Sequence, residues 1–425
     1  MNCCMVCLMT KNKENETFLD IAEEIGDQIC KKAFWNESRC NWIGKSLEGE
    51  SSLEDPLPLI NKALGPDLYD GTSGVALFLG HLYSTTHKDY YYEVSYGAIT
   101  HALHHVSDIS GDNRFGFFSG SIGIAYCAFK LSSLLRNDDL LGRATSLLKT
   151  LISKRKEPHL RDVISGSAGA IPALLEMNSV IGDQAILDYS VDLGSDLIAI
   201  AIPERLGWSW DSRANGIGSV THNLTGFAHG AAGIGYGLLE LFNVTEKNEF
   251  LQAAENAFAY ENSWYNPTRK NWPDFRELSN PADPPYEVAW CHGAVGIGIS
   301  RLRAYQLRRN KQYLDDSLAA LDTATKIARD RLKNEPNFSL CHGMSGFIDF
   351  FLYAHQVLLD ESYMNLAIAI AMDGLNRHGG KTHGWPCGIP TGETPGLMLG
   401  LSGIGYTYLR MTKHGRVPSI LLLPT

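Results

Sequence analysis

Two cysteine–histidine pairs, Cys291-His292 and Cys341-His342, each stand directly before a Gly-x-x-Gly motif, and His229 stands before a third. Thiolate and imidazole are the ligands zinc favours, and a catalytic zinc keeps three protein ligands with an open fourth position. Cys291, Cys341 and His342 form the best trio. His292 could replace His342, or stand beside the metal as an unbound site residue. The competing reading is two buried core cysteines next to ordinary histidines. Two pairs in matching register, with His229 in a third, weigh against it. Asp162, four residues before another glycine pair, leads to the same register, although a helix-capping or surface role is its bland reading.

Other metal-capable residues are weaker candidates. His101, His104 and His105 have helical spacing but sit in an amphipathic segment, where a solvated or packed face is the more common outcome. Cys3, Cys4 and Cys7 lack a second ligand pair. Trp290 and Trp385 could line a peptide pocket or simply pack.

What would bring such distant residues together is a repeat. The glycine pair recurs as GTSG at Gly71, GSIG at Gly120, GSAG at Gly166, GAAG at Gly230, GAVG at Gly293, GMSG at Gly343 and GLSG at Gly400. Each copy opens an apolar run such as VALFLGHLY or FIDFFLYAH, suited to a buried helix. Amphipathic segments lie between them at 138–153, 183–200, 247–260, 310–333 and 361–377, and another at 16–33 precedes the first copy. No segment carries a persistent strand alternation. The chain therefore reads as all-α, each repeat being an outer amphipathic helix, a loop, a glycine pair and an inner helix. Equivalent positions would then share one rim. Residues 1–425 read as a single domain, with 1–15 a flexible tail. The long loops at 202–228, 263–290 and 378–398 are of a length usually tied to function or disorder.

Composition narrows the class. A net charge of −10 speaks against a nucleic-acid binder. No apolar stretch reaches the about 18 residues of a membrane span, and the N-terminus makes a poor signal peptide, which points to the cytoplasm. Nine cysteines, an odd number over a long chain, argue against a disulfide framework.

The segments AHGAAGIGYG, WCHGAVGIG and CHGMSGF resemble the lanthionine synthetase C-like cyclases, over nearly the whole chain from about residue 16. GPDLYDGTSGVALFLGHLY, PTGETPGLMLGLSGIGY and VPSILLL are similar to the C-terminal cyclase half of class II (LanM-type) lanthipeptide synthetases. The resemblance implies an (α/α)7 toroid of seven outer and seven inner helices. It implies one zinc on Cys291, Cys341 and His342, plus water or a substrate thiolate. It also implies Michael-type addition of peptide cysteine thiols to dehydroalanine or dehydrobutyrine, forming (methyl)lanthionine rings. His229 matches the histidine proposed for proton transfer, and Asp162 the aspartate of the DVIxG motif. The implied partners are a dehydrated precursor peptide and a separate dehydratase or modification and export complex, placing the protein at the edge of a membrane-associated assembly. Two departures stand out: Glu287 occupies the place of an arginine in single-domain bacterial cyclases, and His292 that of a tyrosine. Two other functions share the same residues, namely addition of glutathione or another thiol to dehydroamino acids and a non-catalytic peptide-binding subunit.

Overall fold

The computed structural model describes residues 2–47, 58–215, 222–276, 283–334, 337–380, 384–412 and 416–423. Seven apolar helices follow the seven glycine pairs: α2 (Thr72–Thr86), α4 (Ser121–Leu134), α6 (Ser167–Ile181), α8 (Ala231–Thr245), α10 (Ala294–Arg308), α12 (Met344–Leu358) and α14 (Leu401–Thr412). Seven amphipathic helices alternate with them: α1 (Asn2–Lys31), α3 (Asp89–His104), α5 (Asp138–Ser153), α7 (Gln184–Ala199), α9 (Asn248–Ser263), α11 (Lys311–Arg331) and α13 (Glu361–His378). Each inner helix packs on the next inner helix, and α14 packs on α2, so the inner set closes into a ring. The expected (α/α)7 toroid is what the chain forms. The tail expected over 1–15, including Cys3, Cys4 and Cys7, falls on side chains outside the described ones.

The sequence reading pairs each outer helix with the inner helix after it. The structure differs: each inner helix packs on the outer helix that follows, and α1 packs on α14. Connection length is the reason. Inner-to-outer turns take only two or three residues and force antiparallel hairpins. Each turn holds one residue in the left-handed region: His87, Arg136, Gly182, Glu246, Arg309 and Leu359. The longer outer-to-inner segments are free to cross the rim. Three short hairpins were not legible as strands: β1 (Phe34–Asn36) with β2 (Arg39–Asn41), β3 (Ile43–Leu47) with β4 (Leu59–Ala63), and β5 (Ile202–Pro203) with β6 (Trp208–Ser209). They have five residues per strand or fewer, too short for a clear alternation. Among the described residues, no helix is long and apolar enough to cross a membrane.

The rim is built by backbone. Two residues before each glycine pair stand Tyr69, Phe118, Ile164, Ala228, Cys291, Cys341 and Met398. Their segments are joined by hydrogen bonds from one repeat to the next. Tyr69 N donates to Phe118 O (2.9 Å), Phe118 N to Ile164 O (2.9 Å), and Val163 N to Ala228 O (3.0 Å). Ala228 N then donates to Cys291 O (3.1 Å), Trp290 N to Cys341 O (3.1 Å), and Cys341 N to Met398 O (3.0 Å). Met398 N returns to Tyr69 O (2.8 Å), closing the belt. The second glycine of each motif lets the belt lie against the inner helix. A Cβ on Gly169 would stand 1.9 Å from Val163 O, and one on Gly233 1.9 Å from Phe227 O.

Inside the ring runs the segment 416–423. The Leu423 carbonyl accepts from the Tyr236 hydroxyl of α8 (2.6 Å), and Ser419 Oγ donates to Asp349 of α12 (2.7 Å). The Pro418 carbonyl accepts from Tyr406 of α14 (2.9 Å). Helices so far apart in the ring can share one partner only if it lies between them. The Leu421 carbonyl also accepts from the Trp290 indole (3.1 Å), so this segment props the belt from below.

Two substitutions test this account of the glycines. Gly169→Ala has no room and should lower stability by about 3 kcal/mol or more, since carbonyl and Cβ cannot both keep their places. Gly142→Ala, on the exposed face of α5 with nothing within 4 Å, should raise it by about 0.5–1 kcal/mol through helix propensity. At the turns, Leu359 is 83% exposed with φ of 57°. Leu359→Gly relieves that strain at little cost in packing and should stabilise by about 0.5–1 kcal/mol. Thermal unfolding of the three variants beside the parent decides each sign.

Candidate functional site

Cys291 and Cys341 occupy neighbouring places in the belt, which is why they meet. Their thiols share a hydrogen bond. That bond, donated by Cys341, draws the Cys291 thiol below its usual range against the effect of burial, and Arg276 and His229 pull the same way. Cys341 moves in the opposite direction, well above the usual range. Of the two sulfurs, Cys291 is therefore the one more readily ionised. The Tyr69 hydroxyl, from the belt position of the first repeat, also hydrogen-bonds Cys341.

His342 opens into the same cavity as Cys291. Its ring hydrogen-bonds the Gly388 backbone, and burial holds its pKa below the usual value, favouring neutral imidazole. A Cβ on Gly388 would lie 2.9 Å from Nε2, so glycine there leaves the ring its space. Among the described residues, no three His, Cys, Asp or Glu side chains have the spacing of a finished metal cage. The donor set nevertheless suits a borderline-soft cation: two adjoining thiols, one the more readily ionised, and an imidazole oriented by a backbone group.

His229 stands beside this cluster. Its Nδ1 is 2.6 Å from Asp162 Oδ2. Asp162 is buried, and its other oxygen accepts the Ser165 amide at 2.7 Å. The pair fixes the ring, puts the Nδ1 proton toward the carboxylate and leaves Nε2 for other work. His292 lies behind it, its ring centre 6.0 Å from that of His229. It is buried, neither ring nitrogen makes a well-formed hydrogen bond, and Asp274 Oδ1 is 3.9 Å away. Burial, aided by the Arg276 charge, lowers its pKa to about 3. His292 is thus a neutral wall of the site at ordinary pH.

The cavity, of about 520 Å³, is lined by Cys291 and His342 together with Arg276, Arg331 and Glu287. Arg276 is clamped by buried Asp274 through Nε at 3.0 Å and Nη2 at 2.5 Å. Sequence reasoning did not single out Tyr69, Asp274, Arg276 or Arg331. Only Tyr69 carried a usable signal, since it shares the register of the two cysteines. Asp70 follows Tyr69, and burial with the nearby Asp67 pushes its carboxyl up to about 7.

The weaker candidates resolve into structure. His101 bridges Thr72 Oγ1 (3.1 Å) and Asn41 Nδ2 (3.0 Å), tying α3 to the start of α2. His105 pairs with Asp108 at 2.9 Å. Trp290 packs on Phe118 and Phe227, and Trp385 on Phe338 and Tyr408. The six cysteines with described side chains are all free.

Known proteins are similar to this chain in sequence and in fold. The family model described as lanthionine synthetase C-like protein matches residues 62–422. The lacticin 481/lactococcin biosynthesis protein LcnDR2 of Lactococcus lactis subsp. lactis is 25% identical over 402 residues, which are 89% of this chain and 39% of that protein. The chain thus spans about two fifths of that relative's length. Glutathione S-transferase LANCL1 of Danio rerio is 23% identical over 341 residues, 75% of this chain and 77% of the relative. Among solved structures, nisin cyclase superposes with a TM-score of 0.61 at 19% identity, covering 82% of this chain and 88% of its own, a likeness of fold. A match that takes in all seven inner helices and six of the seven outer ones leaves one conclusion: the chain belongs to the lanthionine synthetase C-like family.

Proposed function

We propose that this chain is a zinc-dependent lanthipeptide cyclase. It would add cysteine thiols of a dehydrated precursor peptide to dehydroalanine or dehydrobutyrine, forming thioether rings. The observation that carries the reading is the meeting of the two thiols at the rim beside the His229–Asp162 pair, in a member of this family. Cys291, Cys341 and His342 would hold the zinc. When bound, the metal supplies an open position that lowers the pKa of a substrate thiol and keeps it as thiolate.

The protein's own groups account for the rest. Asp162 accepts from Nδ1 of His229 and fixes the ring, so Nε2 faces the reacting atoms. An imidazole in that place can take the thiol proton and return it to the α-carbon near neutral pH. Buried, neutral His292 excludes water behind the site. The likeness to LcnDR2, a lacticin 481/lactococcin biosynthesis protein, supports a peptide substrate. The likeness to LANCL1 supports the second reading, in which glutathione is the thiol.

Both readings are tested by one assay. The protein is incubated with dehydrated precursor, with and without glutathione, and free thiols are counted by alkylation and mass spectrometry. Loss of peptide thiols without a mass change of the peptide is expected. A gain of one glutathione per dehydroamino acid instead would establish the second reading, and no change in either would sink both. Cys341→Ala should lose bound zinc, measured by elemental analysis, together with activity. Full activity in a metal-free Cys341→Ala protein would refute the metal mechanism. Asp162→Asn should keep zinc and lower kcat by about 10²-fold, the range of a misdirected general acid–base. An unchanged kcat would remove the His229–Asp162 pair from the mechanism.

A further inference from the structure

One cation of the cavity, Arg331, makes no close ion pair among the described residues, although Glu287 lines the same space and its charge acts on it. Arg331 ends α11, which at 21 residues is longer than the 16 residues of α9 and carries its last turn to the rim. Its guanidinium faces the space shared with Cys291 and His342. Among the described residues no carboxylate lies within ion-pair distance of it. Its single hydrogen bond is a long one, Nη1 to the His342 carbonyl at 3.4 Å, and its flat face rests on Phe347 with 5.2 Å from Cζ to the ring centre. Arg276, the other cation there, is already neutralised by Asp274. Glu287 and Cys291 act on this guanidinium only through space, so its spare donors are left to serve an acceptor on the ligand.

Resting on the cyclase reading, we propose that Arg331 is the oxyanion-binding group of the reaction. It donates to the carbonyl oxygen of the dehydroamino acid and holds the charge that gathers there. In the addition, the sulfur lone pair forms the bond to the β-carbon. The alkene pair shifts to the bond between α-carbon and carbonyl carbon, and the carbonyl pair moves onto oxygen. His229 then gives a proton to the α-carbon as the oxygen pair returns. That proton equals the one the thiol lost, so no further reactant is consumed. The end of an outer helix delivers this cation to the cavity. Phe347 holds its plane, and the His342 carbonyl takes one N–H, leaving the others for the substrate. Donors placed where charge develops are worth about 10²–10³ in rate.

The test compares Arg331→Gln and Arg331→Lys with the parent on dehydrated precursor. Three further measurements accompany kcat: bound zinc, thermal stability, and the Kd of a dehydroalanine peptide in which the cysteine is replaced by serine. Arg331→Gln should lower kcat about 10²-fold or more, keep zinc and stability, and change that Kd less than threefold. Arg331→Lys should recover at least tenfold of the loss, because a point charge replaces part of the fork. A fall in kcat of less than threefold for Arg331→Gln overturns the proposal, as does a loss that follows zinc content or stability. If the parent itself consumes no peptide thiol, the cyclase reading fails first and the role of Arg331 with it.

Discussion

The closed belt of main-chain hydrogen bonds at the rim is the constraint on which the remaining structure depends. Seven segments, each two residues ahead of a glycine pair, hand an amide to the next segment's carbonyl until Met398 returns to Tyr69. Backbone groups buried at a helix junction need partners, and here the partners are their own repeats. The belt fixes the height and the angular place of every residue it contains. Chemistry at the rim then follows from which side chain a given repeat offers at a fixed address.

That arrangement separates two tasks that compete in most sites. The apolar inner helices and the segment 416–423 supply burial. The rim supplies polarity without breaking helical hydrogen bonding, because its residues lie before the helices begin. Two buried charge pairs sit within the helical ring: Arg303 holds Glu240 through two bonds of 2.5 and 2.9 Å, and Arg410 holds Asp349. Arg331 at the rim has no such close partner among the described residues, and it lines the cavity where a ligand would sit.

Much of this was legible in the chain. Seven glycine pairs with apolar runs behind them state the helices and their order, since helical periodicity and glycine spacing are local properties. The cysteines, His229 and Asp162 could be grouped because a repeat turns sequence position into spatial position. What stayed hidden depends on geometry that sequence spacing does not carry. The helical triplet at His101, His104 and His105 has metal-like spacing, yet His101 is spent on Thr72 and Asn41. Tyr69 shares the cysteines' address, but a tyrosine there does not announce a contact with a thiol on the far side of the chain. Arg331 is one basic residue among several on an amphipathic helix, and only the length of α11 sets it apart. The partner of α1 was hidden for a related reason, because the two-residue turns that pair the other helices leave it with no hairpin partner of its own.

The pairing of α1 with α14 has a consequence for how the molecule comes together. Hairpins such as α2 with α3 can form as soon as their residues exist, and neighbouring belt segments can join in turn. The last joint cannot. Gln28 meets Glu393 across 365 positions of chain, and Met398 meets Tyr69 only when the two edges of the array arrive together. The entropy of closing so long a loop grows only with the logarithm of its length, so it is a modest thermodynamic cost. It is a late event in time, because long-range contacts are slow to find. The contact between Tyr69 and Cys341 spans that same seam. Assembly of the thiol cluster is therefore tied to completion of the ring, and a chain still open at the seam carries its two cysteines without the hydroxyl that greets them.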